Sequence, residues 1–206
     1  MKYKNIPFYR ARIFLVALIA YLSTVYGCNS TPERLQVKTQ LTSTYELVNQ
    51  DSQSVAFPKD FNDSYLIVGY IYTHCQSVCP AITANMVRIE ETIEQKAPVK
   101  FVGISFDPHR DKPRVLREYM RRFDIASDRF SFLTGDTTVI NRLLEKVKVH
   151  AWKKTPKDTS AEAGSYMYVH TNRIHLIDPE GNVRGSYRGS QVSPNQLKKD
   201  LSALRE

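Results

Sequence analysis

The sequence predicts an α/β fold in which a central mixed sheet is flanked by helices. Three observations lead there. Apolar runs of strand length alternate with stripes at helical spacing through the middle of the chain; two extended runs and a tight turn follow; and the last residues form an amphipathic helix with a capping pattern. Alternation followed by a terminal hairpin implies parallel strands early in the sheet and antiparallel ones late.

Each element has its own signal. Residues 65–72 are an apolar, β-branched and aromatic run between Asn62-Asp63-Ser64 and a pair of cysteines, as a buried strand requires. Ile82, Met86, Ile89 and Ile93 then recur at steps of four, three and four, one face of a helix, with Pro80 in its first turn where a missing N–H costs nothing. Residues 99–106 form a second buried strand, and Val115, Leu116, Tyr119, Met120 and Phe123 mark a second helix. A short strand at 130–133 leads to a third helix, striped by Val139, Ile140, Leu143, Leu144 and Val147. The polar segment 153–164 has no periodicity and is read as a loop and a candidate partner surface. Extended runs at 166–169 and 173–178 precede the turn Pro179-Glu180-Gly181-Asn182 and a returning strand at 183–187, a hairpin pattern. Ser193-Pro194-Asn195-Gln196 is a capping box with proline at the first helical position, and Leu197, Leu201 and Leu204 follow on one face. The thioredoxin fold has this order, and its reactive cysteines lie where the first core strand passes into its helix. Cys75 and Cys79 occupy that position here.

The 206 residues, 42% hydrophobic and 24% charged, suffice for one sizeable core. The formal charge of +8 includes Lys2, Lys4, Arg10 and Arg12 ahead of the apolar run 13–22, the layout of an export signal. Without those four the charge is +4, and no basic run is interleaved with aromatic residues, so nucleic-acid binding is not expected. Val25-Tyr26-Gly27-Cys28 resembles the lipobox of bacterial lipoprotein precursors, with Tyr26 departing from the small residues preferred there. The reading is a signal peptide over 1–27, a lipidated Cys28 with a polar tether over 28–44, and a folded domain over 45–206 on the extracytoplasmic, periplasmic side of a bacterial membrane. The alternative is an uncleaved anchor, although the run falls short of the ~20 residues that span a bilayer.

With Cys28 lipidated, Cys75 and Cys79 remain, and outside the cytoplasm they pair with each other, bind metal or do redox chemistry. Cysteines four apart at a helix start put both sulfurs on one side, close enough for a Cys75–Cys79 disulfide or for one soft metal ion. Such a bridge closes too short a loop to staple the fold. Dedicated oxidoreductases of this fold usually have two residues between the cysteines, whereas Gln76, Ser77 and Val78 intervene here.

The segment from Tyr72 through Thr73-His74-Cys75-Gln76-Ser77-Val78-Cys79 to Pro80 resembles the cysteine motif of the Sco (SenC) family. Residues 104–113, containing Asp107-Pro108 and Asp111, Leu133-Thr134-Gly135, and Tyr168-Val169-His170-Thr171 leading into Leu176-Ile177-Asp178 resemble three further segments of that family, in order. Gln76 departs from the proline usual after the first cysteine. The resemblance implies a copper site of Cys75, Cys79 and His170, with two thiolates suited to Cu(I) and an imidazole that makes Cu(II) acceptable. It also implies assistance in assembling the binuclear copper centre of cytochrome c oxidase, by delivering copper to that subunit, reducing its cysteines, or both. The expected protein is a binding and transfer module rather than a turnover enzyme. A thiol-disulfide reductase with Cys75 and Cys79 as its redox pair, acting on another thiol partner, is the competing reading, and a thiol peroxidase a third. Asp107 and Asp111 could supply an oxygen or a supporting hydrogen bond. His175, alternating with Ile174 and Leu176, is expected to face solvent, which argues against a zinc site with His170 and the cysteines. His74, His109 and His150 are read as non-ligands, and Met86, Met120 and Met167 as core residues.

Overall fold

The computed structural model describes residues 33–155 and 166–205. The export segment, Cys28 and most of the loop read at 153–164 lie outside the described residues. In chain order the strands and helices are β1 (Thr39–Gln40), β2 (Tyr45–Asn49), β3 (Ser54–Phe57), β4 (Tyr65–Ile71), α1 (Val78–Thr92), β5 (Val99–Ser105) and α2 (Pro113–Arg121). They continue with β6 (Phe130–Gly135), α3 (Thr137–Lys146), β7 (Ala151–Lys154), β8 (Met167–His170), β9 (Ile174–Ile177), β10 (Asn182–Tyr187) and α4 (Pro194–Arg205). Eight strands form one sheet in the order β1-β10-β9-β4-β5-β6-β2-β3, and β7 and β8 form a separate ribbon.

The early strands β4, β5 and β6 pair in parallel, while β9 and β10 add to β4 as an antiparallel pair. This is the thioredoxin-like arrangement expected from the alternation. It follows from composition: β4 and β5 are buried along almost their whole length, as strands covered by helices on a parallel sheet must be. α1 buries Ile82, Met86 and Ile89 on the predicted stripe. Its approach to the sheet is close enough that a Cβ on Gly69 of β4 would sit 2.5 Å from the Met86 sulfur, which is why the strand tolerates a glycine there. Buried Asn85 on the same helix donates to the carbonyls of Gly189 and Val192, tying α1 to the segment that leads into α4. The β9–β10 turn places Gly181 at φ +78°, a conformation that disfavours any Cβ.

Four readings change. Residues 33–44, expected to belong to the tether, join the domain: Leu35 and Leu41 are buried, β1 pairs with β10, and the backbone N–H groups of Lys38 and Leu41 donate to Val183 and Gly181. Short polar segments give little periodic signal, and pairing to an open sheet edge supplies what propensity does not. Part of the loop read from 153 is β7, paired antiparallel with β8, so the extended run at 166–169 belongs to a ribbon rather than to the main sheet. His175 is 3% exposed, not solvent-facing, because β9 is an interior strand buried on both faces, where alternation no longer sorts residues into wet and dry. Met167 is 48% exposed rather than in the core, since the ribbon carrying it covers the protein with only one face.

Candidate metal centre

Three elements converge at the C-terminal end of β4. Cys75 lies in the loop that leaves β4, Cys79 in the first turn of α1, and His170 at the end of β8. Among the described residues these form the group able to hold a metal ion: one sulfur from each cysteine and one imidazole nitrogen all lie within 4.8 Å of one another. Cys79 is fully buried, whereas Cys75 and His170 are half-buried, so the site opens to solvent on their side. Both cysteines are free thiols in this structure.

Hydrogen bonds set their chemistry. The Cys79 N–H, at the start of the helix, donates to the Cys75 sulfur at 3.4 Å, and the Tyr72 N–H donates to the Cys79 sulfur at 3.4 Å. His170 Nε2 lies 3.4 Å from the Cys79 sulfur. Its other nitrogen, Nδ1, is 3.1 Å from the Thr171 carbonyl, an acceptor only, so the proton belongs on Nδ1 and the lone pair of Nε2 points at the sulfurs. A ligating imidazole is normally held by such a bond. The Cys75 thiol is pushed well below its ordinary pKa, first by the hydrogen bond from Cys79 and further by His170 and the backbone N–H groups of Cys79 and Ser77. Burial pushes Cys79 the other way, reinforced by the neighbouring Cys75. Holding one thiolate and one thiol thus costs less than holding two thiolates, and a bound soft cation would offset the cost of ionising both sulfurs.

The wall behind the site is aromatic. Tyr72 meets His170 edge-on at 5.9 Å between ring centroids, Phe106 lies 4.9 Å from His170, and Tyr168 packs on both aromatic rings. Tyr72, Phe106 and Tyr168 fall within the segments that carry the family resemblance, but sequence reasoning assigned them no role, because spacing along the chain does not show which rings face one another.

Asp107 and Asp111 are both fully buried and neither belongs to the ligand group. Asp111 accepts from the Thr73 N–H and hydroxyl and from the Ser105 hydroxyl, which fixes the residue where the cysteine loop begins. Asp107 holds Arg110 and accepts from the Tyr166 hydroxyl at 2.8 Å. Arg110 in turn donates to the Tyr166 carbonyl and lies 3.7 Å from the centre of its ring. The expected supporting role of the two carboxylates is therefore a fastening one, with Arg110 and Tyr166 as further members. His74 is largely exposed, with Nδ1 3.2 Å from the Thr73 hydroxyl, and His109 and His150 are exposed. His175 sits in a separate buried network with Tyr70 and Ser186, so the two cysteines and two histidines do not assemble into a zinc site.

The SCO1/SenC family model matches residues 33–206. The SCO1 protein homolog of Bacillus subtilis is 24% identical over 147 residues, which cover 71% of this chain and 72% of that protein. Among solved structures, ScoI of Bradyrhizobium japonicum with copper bound is 27% identical, with a TM-score of 0.63 over 78% of this chain and 96% of that one. A SCO1/SenC family lipoprotein from Bacillus anthracis is 26% identical, with a TM-score of 0.67 over 83% and 98%. The cysteine pair, the distant histidine that folding brings to it, and a family match that spans all of the described residues agree: this chain belongs to the SCO1/SenC family.

Proposed function

We propose that this protein binds copper through Cys75, Cys79 and His170 and passes it to the subunit of cytochrome c oxidase that holds the binuclear copper centre. The observation that carries the reading is the convergence of two sulfurs and a correctly oriented imidazole within 4.8 Å, on a site that is closed at Cys79 and open at Cys75 and His170. Two thiolates favour Cu(I) and the imidazole extends the site to Cu(II). The copper bound in the Bradyrhizobium relative supports the choice of metal. An export segment followed by Cys28 supports attachment by lipid to the periplasmic face of the membrane, and a relative described as a lipoprotein supports it further.

Thiol-disulfide exchange is the second reading, favoured by the unequal exposure of the two sulfurs. Cys75 would attack a partner disulfide and Cys79 would resolve the mixed disulfide, leaving the partner reduced by two electrons and the Cys75–Cys79 pair oxidised. Oxidation of the pair also removes two ligands, so redox state would govern release of the metal.

Copper stoichiometry and the absorption spectrum of the reduced protein separate the readings. One equivalent is expected, with a thiolate-to-Cu(II) charge-transfer band that is lost in Cys75→Ser and Cys79→Ser and is shifted and weakened in His170→Ala, whose affinity falls at least tenfold. A His170→Ala protein that binds copper as tightly as the parent would show the ligand set to be wrong. An absence of specific copper in the parent, with thiol exchange intact, would favour the reductase.

A further inference from the structure

A groove of about 330 Å³ opens beside Cys75, between the loop leaving β4 and α2. Thr73, His74, Cys75 and Gln76 line it from the loop, and Val115 of α2 and Arg122 just beyond that helix line the other side. Cys75 is the half-exposed sulfur of the pair, so the groove borders the sulfur that another molecule can reach. Several lining groups are not used by the fold. Gln76 is exposed, and neither its N–H nor its side-chain amide has a hydrogen-bond partner among the described residues. Val115 stays half-buried although it lies on the apolar stripe of α2. Arg122 is exposed and has no carboxylate partner among the described residues, whereas Arg114 and Arg117 of the same helix pair with Glu118 and Asp51. The carboxylate behind the groove, Asp111, is buried, and its oxygens accept from Thr73 and Ser105.

We infer that this groove holds the segment of a partner protein surrounding the cysteine presented to Cys75, and that Arg122 selects segments carrying a carboxylate two residues from that cysteine. The inference rests on the thiol-exchange reading above, in which Cys75 attacks a partner disulfide. That attack brings the residues flanking the partner's cysteine against the surface that Cys75 itself lines. A cavity of this volume is roughly 9 Å across, a span that two or three extended residues cover at about 3.3 Å each. Residues two apart in an extended chain point the same way, so a cysteine directed at Cys75 places the side chain two positions along on the same side, within reach of Arg122. The unpartnered N–H and amide of Gln76 can donate to carbonyls of the segment, and Val115 supplies an apolar contact. A carboxylate matches the fork of an arginine, whereas a lysine in its place meets like charge. Arg122 is thus a specificity-determining residue that leaves the metal ligands untouched.

The test follows thiol exchange between the reduced, metal-free full-length protein in detergent and three disulfide-linked peptides, with aspartate, glycine or lysine two residues from the cysteine. Cys75 attacks one peptide sulfur, the peptide disulfide breaks, one peptide leaves as its thiolate and the other stays bonded to Cys75. Cys79 then attacks the Cys75 sulfur, its proton passes to a released peptide thiolate, and the protein has given two electrons to the peptides. The aspartate peptide is expected to react several-fold faster than the lysine peptide at low salt, with the preference shrinking as salt rises. Arg122→Ala should abolish the preference and Arg122→Glu reverse it, while the glycine peptide's rate stays within about twofold and the copper spectrum is that of the parent. A parent that treats the three peptides alike, or variants that keep its preference, would overturn the groove assignment and leave thiol exchange standing. A parent that reacts with none of them would overturn both. Oxidised glutathione reacting as fast as the aspartate peptide, and slowing equally in Arg122→Glu, would assign the groove to a small acidic thiol instead of a protein segment.

Discussion

Three donors converge on the buried carboxylate of Asp111: the Thr73 N–H at 3.0 Å, the Thr73 hydroxyl at 2.6 Å and the Ser105 hydroxyl at 2.6 Å. Burial raises the carboxyl's pKa above the ordinary carboxylate value, and these hydrogen bonds offset the rise only in part; the group joins the ends of β4 and β5 at Thr73, two residues before Cys75. Removing it leaves three donors with no acceptor in a dry place. Asp111→Ala is therefore expected to lower unfolding free energy by about 2–4 kcal/mol, more than the ~1 kcal/mol of an average substitution. Urea denaturation of the reduced apoprotein measures it, and a loss below 1 kcal/mol would mean that water replaces the carboxylate. Asp111→Asn, which keeps an acceptor but exchanges one oxygen for a donor, should fall between. The sequence placed Asp111 on the correct loop and near the cysteines. Its partners were not legible, because hydrogen bonds between the ends of two strands depend on which strands are neighbours.

At the scale of elements, periodicity revealed what is buried on a face and missed what is not. The stripes of α1, α2, α3 and α4 and the unbroken runs of β4 and β5 were readable because each is dictated by a hydrophobic core. β7 was not: Ala151–Lys154 is exposed along most of its length and therefore carries no alternation. Yet this ribbon delivers His170, whose membership of the site was legible only from the resemblance of its surrounding segment, since 91 residues separate it from Cys79. The ribbon is tied to the body by the link from Asp107 through Arg110 to Tyr166, immediately before β8, by the Tyr168 N–H donating to the Tyr72 hydroxyl, and by aromatic packing. Arg110→Met keeps much of the aliphatic bulk but loses the donors to the Asp107 carboxylate and the Tyr166 carbonyl. Faster amide exchange in β8 than in β9 is expected, together with a broadened Cu(II) spectrum in which thiolate bands persist and the imidazole contribution is heterogeneous. Unchanged exchange in β8 would show that aromatic packing of Tyr72, Phe106 and Tyr168 and the Tyr168–Tyr72 hydrogen bond are sufficient without it.

For the molecule as a whole, the buried His175 makes stability depend on pH. Its ring lies between β4 and β10, with Nδ1 2.9 Å from the Tyr70 hydroxyl and Nε2 3.1 Å from the Ser186 hydroxyl, and burial depresses its pKa to about 3, helped by the positive charges of Arg173 and Lys38. In the unfolded chain the same imidazole titrates near 6.5. Between those two values the unfolded state binds a proton that the folded state does not, so stability rises with pH across the window. The contribution of neutral His175 is complete above about pH 6.5 and is lost progressively as pH falls towards 3. One pH unit is worth about 1.4 kcal/mol, so lowering the pH from 7 to 4.5 should cost about 3 kcal/mol through this residue alone. His175→Gln offers the hydroxyls an amide that does not titrate. It is expected to be less stable than the parent at pH 7 but to lose correspondingly less between pH 7 and 4.5. The difference between the two proteins' urea-derived stabilities, measured at each pH, removes the titration of the carboxylates they share. A difference that stays constant from pH 7 to 4.5 would mean that His175 is already protonated in the folded protein, or that the sheet opens around it at little cost.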